Sequence, residues 1–143
     1  MTWPARPPDM LIGNDPCDPY MRRWWLVPRN RWCNVYLHHI RRDDDDRALH
    51  DHPWPSLSLI LRGGYTEVTA LGQERYEAGS VIFRRATHAH RIVVGDGEAW
   101  TLFITGPHIR PWGFHCPRGW VPWREFVAAD NPGTVGRGCG ELS

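Results

Sequence analysis

The chain has 143 residues, 41% of them apolar, which suits one domain with a hydrophobic core. A net charge of +1 sets up no long-range attraction to nucleic acid or to an anionic membrane, so neither partner is expected. All seventeen basic residues are arginine, which removes lysine Schiff-base chemistry and the lysine of a phosphate-binding loop.

The N-terminus, MTWPARPPDM, lacks a basic region followed by an apolar segment, and no apolar run reaches membrane-spanning length. Cysteines at 17, 33, 116 and 139 form no CxxC pair. Reduced thiols in a cytoplasmic protein are therefore the expectation.

Residues 1–19 hold five prolines and little periodicity, so residues 1–32 read as an arm, largely irregular, packed on the domain. Residues 20–28 suit a short strand or a helical turn. The first clear strand is 33–41, CNVYLHHIR, where Asn34, Tyr36 and His38 share one face. DDDDRA at 43–48 reads as a solvated loop, since the spacing of a calcium loop is missing. SLSLILR at 56–62 is an apolar strand, closed by a Gly63-Gly64 turn and paired as a hairpin with 65–71.

A turn at 72–74, a strand at 80–84, another within 88–94 and a turn at 95–98 follow. AWTLFITG at 99–106 is the best buried strand. Residues 107–124 mix Pro, Trp and Gly, a short helix is expected from near Pro122, and the Gly-rich stretch 133–140 reads as mobile. This is an all-β chain, sandwich or barrel, with the barrel over 33–127 and a tail at 128–143.

Residues 50–52 read HDH. In extended chain His50 and His52 project to one face and Asp51 to the other, so two imidazoles can share a metal ion. The plainer reading is a pair of surface histidines at a loop-to-strand junction. Further along, GSVIFRRATHAH at 79–90 ends on His90, eleven residues after Gly79.

Together, HDHPWPSLSLILRGGY and GSVIFRRATHAH resemble the two signature stretches of the cupin family. His50, His52 and Gly63 match the first stretch, and Gly79 and His90 match the second. Arg85 and Thr87 replace its usual Pro and Gly. The fifteen residues between Gly63 and Gly79 suit the short spacing of small cupins, and the resemblance covers roughly residues 34–106. It implies a double-stranded β-helix, or jelly-roll, barrel with a divalent metal on His50, His52 and His90. Ser56 stands where the family usually carries a ligand glutamate.

Three neutral imidazoles would leave the charge of the ion uncompensated and favour an anionic, chelating small-molecule ligand. Cupins without the glutamate, such as the thiol dioxygenases, use a three-histidine iron site in this way. Iron(II) is therefore the favoured ion, with zinc, nickel, manganese and copper as alternatives. Glu67 and His88 are candidate extra ligands. Tyr36 and His38 are candidate catalytic residues, while Arg84, Arg85 and Trp54 are candidate substrate-binding residues. Trp100 and Trp112 are further candidates for the cavity wall. His115 and Cys116 are adjacent on a strand and so point apart, which makes them poor partners for one ion.

The expected activity is that of a metal-dependent oxidoreductase of the dioxygenase type. The alternatives are a non-catalytic ligand-binding module, or a metal-independent isomerase or epimerase with His50 or His38 as base beside Tyr36. Small cupins commonly pair through their outer sheets, which implies a homodimer.

Overall fold

The computed structural model describes residues 4–13, 15, 17–43 and 48–139, with backbone alone for 131–134. Runs of alternating inward and outward side chains, rich in β-branched and aromatic residues, form short antiparallel strands. In chain order these are β1 (Met10–Ile12), β2 (Met21–Trp25), β3 (Asn34–Ile40), β4 (Leu49–His50), β5 (Ser56–Thr69), β6 (Gly72–Glu77) and β7 (Val81–Arg84). They continue as β8 (Arg91–Val93), β9 (Ala99–Thr105), β10 (Gly113–Cys116), β11 (Gly119–Pro122), β12 (Val127–Ala128) and β13 (Asn131–Val135). One helical turn, α1 (Trp123–Phe126), precedes β12. No helix among the described residues is long and apolar enough to cross a membrane.

The main sheet runs β1-β2-β3-β9-β5-β6, and β7 and β8 also pair with β5. A second sheet, β11-β10-β4, caps one end, and β12 pairs with β13. The architecture agrees with the all-β reading. Three details depart from it.

First, Gly63-Gly64 is not a hairpin turn. β5 runs through it for fourteen residues, its first half lying between β9 and β7 and its second half between β6 and β8. Gly63 has φ +73°, and a Cβ there would lie 2.0 Å from the Glu98 carbonyl oxygen. The glycine lets the strand bend across its neighbour, with a register shift between Ile60 and Arg62. A Gly pair reads alike for a turn and for a bend, so sequence alone does not separate them.

Second, the stretch 1–19, read as irregular, contains β1, whereas β2 is the strand alternative read for 20–28. β1 and β2 extend the sheet beyond β3, with Trp24 opposite Leu37 and Arg23 opposite His38. MRRWW has no apolar alternation, which leaves strand and helical turn both open.

Third, Cys116 and Cys139 form a disulfide, against the expectation of reduced thiols, while Cys17 and Cys33 are free. The β12–β13 hairpin returns the tail to β10, so cysteines 23 residues apart meet. The stretch expected to be mobile is thus partly strand and covalently tied. Asp44, Asp45, Asp46 and Arg47 lie outside the described residues.

The barrel core gathers Ile40, Ile60, Tyr65, Ile82, Val94 and Ala99. A second cluster under the cap joins Ala48, Phe114, Cys116 and Phe126, with the Phe114 and Phe126 rings stacked at 3.6 Å. The disulfide holds this cluster closed. Cys116→Ser should therefore lower unfolding free energy by about 2–4 kcal/mol. Urea denaturation measures it, and reduced wild-type protein should match the variant.

Candidate metal centre

Cross-strand pairing stacks inward residues into rows. One row runs Arg23–His38–Thr101–Ile60, and the next runs Trp25–Tyr36–Phe103–Ser58–Ile82. Arg23, His38, Thr101, Tyr36, Phe103 and Ser58 of these rows line a cavity of about 750 Å³. The three histidines belong to the opposite side, where β4 meets the chain leading into β8. His50 and His90 exchange backbone hydrogen bonds of 2.9 and 3.0 Å, which sets their side chains together.

His52 completes the cluster. Ring centroids are 5.1 Å apart for His50–His52 and 5.0 Å for both His50–His90 and His52–His90, and the rings meet at steep angles. Their donor nitrogens lie within 4.8 Å of one another, so the group can hold one divalent ion. Burial, then the neighbouring cations and imidazoles, holds His52 well below its ordinary pKa, and burial also depresses His90. Both rings are neutral at pH 7, the form that coordinates a metal.

The orientation of His90 comes from Glu67. Its Oε1 lies 2.5 Å from His90 Nδ1 and 2.5 Å from Arg84 Nε. Burial would raise the Glu67 pKa, but His90 and Arg84 outweigh it and pull it down. A carboxylate can only accept, so His90 Nδ1 carries the proton and Nε2 presents its lone pair. Glu67 therefore stands behind a ligand, on the far side of the ring from the three-histidine cluster.

His88 Nε2 lies 3.3 Å from the same Glu67 oxygen, and Glu67, His88 and His90 make a second close group. Arg84 at that oxygen disfavours a cation there. Neither Glu67 nor His88 lines the large cavity.

Asp51 points away, as its parity requires, and is almost fully buried. Its Oδ1 accepts from the Gly113 amide and from Arg110 at 2.9 Å, and its Oδ2 from Trp120 Nε1 at 2.9 Å. His115 Nε2 lies 3.1 Å from Oδ2. Burial raises its pKa, but these hydrogen bonds together lower it. His115 and Cys116 indeed separate, one to Asp51 and the other to the disulfide.

Tyr36 and His38 are both buried on the cavity wall, sharing a face as expected. Arg84 is buried beside them, with Nη1 donating to Ser58 Oγ at 2.9 Å and Nη2 to the Tyr65 hydroxyl at 2.8 Å. Arg85 is exposed and away from the cavity. Trp54 lines the cavity and stacks on His52 at 4.9 Å. Trp112 also lines it, whereas Trp100 packs outside, against His39 and Trp24. Ser56 is buried, in register with Arg84 and Thr105, and does not reach the cavity.

The cavity lining includes Arg23, Arg29, Arg84 and Arg124 and no aspartate or glutamate among the described residues. Arg23 and the partners of Asp51 were not legible in the sequence. Arg23 needs the β2–β3 register to be placed, and Asp51 needs β10 and β11.

The antiparallel strands thus enclose a cavity with a histidine cluster on its wall. No protein-family model matches the chain, and no curated protein does. Solved structures do match. A double-stranded β-helix protein of Klebsiella pneumoniae is 14% identical with TM-score 0.56, over 70% of this chain and 88% of its own. A cupin-like protein of Thermotoga maritima is 16% identical with TM-score 0.54, over 66% and 74%. The DMSP lyase DddQ of Ruegeria pomeroyi is 16% identical with TM-score 0.58, over 71% and 54%. The chain has the cupin fold.

Two outcomes follow from the buried charges. Glu67→Gln leaves Arg84 without its counter-ion and should cost about 3–5 kcal/mol in urea unfolding at pH 7. In metal-free protein the unfolded chain takes up protons as pH falls through 6.5, while folded His52 and His90 resist them. Stability should thus decline as pH drops below that value, with a shallower slope in His90→Gln when urea midpoints are compared from pH 7 to pH 5.

Proposed function

We propose that the protein is a metal-dependent cupin enzyme acting on a small anionic molecule, with iron(II) oxygenase chemistry as its finer form. One observation carries this reading: the three-histidine cluster opens on a cavity lined by four arginines and, among the described residues, no carboxylate. The donor set fits a divalent ion, since two of its imidazoles are held neutral by burial and His90 is fixed in the coordinating tautomer. A bound ion supplies Lewis acidity and adjacent open positions, and as iron(II) it also supplies electrons for dioxygen chemistry.

The chain's own residues do the rest. His50, His52 and His90 hold the ion, and Glu67 keeps the proton of His90 on Nδ1. The arginines draw the anion inward by charge. Trp54 and Phe103, edge to face at 5.4 Å, shield the approach to His52 from water. His38 is kept neutral by burial first and Arg23 second, so its accepting Nε2 is tied to Arg23. That leaves His38 as a wall residue and disfavours the isomerase reading with His38 as base.

Elemental analysis of purified protein should find about one divalent ion per chain, lost in His90→Ala while the fold persists by circular dichroism. Oxygen uptake on iron(II) loading, screened with small chelating acids, tests the oxygenase form. Protein that takes up no metal would overturn the reading, and turnover unaffected by chelator would favour the metal-independent isomerase.

A further inference from the structure

Arg23 is a cavity cation without a counter-ion among the described residues. It lies in β2 opposite His38, is partly buried, and lines the cavity. Its Nε donates to His38 Nε2 at 2.9 Å, and its Cζ lies 4.5 Å from the centroid of the Tyr36 ring. Neither Nη1 nor Nη2 has a hydrogen bond or ion pair among the described residues.

Asp9 donates its amide to the Arg23 carbonyl but turns its carboxylate to Arg6 and the Trp25 amide. Arg84 differs, because Glu67, Ser58 and Tyr65 engage all three of its nitrogens. Burial first, and nearby Arg29, lower the Arg23 pKa, yet a guanidinium stays charged at neutral pH. A half-buried guanidinium that no carboxylate faces among the described residues keeps part of its desolvation cost uncompensated.

From Arg23 an aromatic path leads to the histidine cluster. Tyr36 stacks with Phe103 at 6.4 Å, Phe103 meets Trp54 at 5.4 Å, and Trp54 lies on His52 at 4.9 Å. We infer that Arg23 recognises the acid group of the ligand, a carboxylate held by the Nη1/Nη2 fork. The ligand is then a two-ended aromatic or unsaturated acid. Its body lies along Tyr36, Phe103 and Trp54, and its other end faces the three histidines. This rests on reading the cavity as a site for a small anion, but not on the presence of metal.

The test titrates the full chain, in chelator, with benzoate, its neutral counterpart benzamide, and inorganic phosphate, followed by tryptophan fluorescence. Benzoate should bind at least about tenfold tighter than benzamide. Arg23→Gln should cut that preference to about threefold or less, with Arg23→Lys, which keeps the charge without the fork, in between. Arg23→Gln strands no counter-ion among the described residues but takes the donor from buried His38 Nε2, so it should melt a few degrees below wild type and stay folded; Arg23→Lys carries the test should it unfold.

Equal binding of benzoate and benzamide, or a preference intact in Arg23→Gln, would overturn the inference. Phosphate binding tighter than benzoate would overturn its assignment to a carboxylate. A preference that appears only after zinc loading and survives Arg23→Gln places the acid on the metal, so the inference fails and the proposed function stands. A preference that depends on Arg23 in protein unable to bind metal gives the reverse.

Discussion

One carboxylate oxygen ties the barrel together at its site. Glu67 Oε1 lies 2.5 Å from both Arg84 Nε and His90 Nδ1, and so links β5, β7 and the entry to β8. A carboxylate this buried stays ionised only because a cation and an N–H face it. Each partner in turn depends on it: Arg84 would otherwise be a buried lone charge, and His90 would be free to take the other tautomer. The bend of β5 at Gly63 makes this possible, because it carries Ser58 and Glu67, on opposite halves of one strand, to the same guanidinium.

Charge then divides cleanly across His90. The acid lies behind it, and the cavity in front is lined by arginines and imidazoles and by no carboxylate among the described residues. Ser56, where the cupin pattern carries a ligand carboxylate, is buried and does not reach the cavity. The negative charge that a ligand glutamate would bring to the open face is instead placed on Glu67, where it orients His90 and would not neutralise an ion held there. That uncompensated positive face is what the proposed anionic ligand would meet.

What could be read in the residues was what period-two geometry determines. The shared face of Tyr36 and His38, the pairing of His50 with His52 and the opposite direction of Asp51 all follow from strand parity, and all are seen. His90 needed the second motif, which the spacing from Gly79 supplied. What stayed hidden depends on partners remote in sequence. Arg23 acquires meaning only through its register with His38. Gly63 is a bend rather than a turn because Glu98 lies against it. The Cys116–Cys139 bond requires the β12–β13 return, in a stretch whose glycines suggested a loose tail.

Asp51 shows why the middle residue of HDH matters as much as its flanks. Two histidines separated by one residue can share an ion only while the chain between them stays extended. The Asp51 amide donates to the Gly113 carbonyl at 3.0 Å, and its carboxylate takes the Gly113 amide in return. Arg110 adds a bond to the His52 carbonyl at 3.0 Å. The stretch is therefore gripped from outside by β10, β11 and the segment before them, and from inside by the backbone bridge to His90. The outer grip rests on the cap sheet, whose strand β10 ends at Cys116 and is closed against the tail by the disulfide. Geometry at the histidines is thus set by residues up to Cys139, far beyond the two stretches that carry the cupin resemblance.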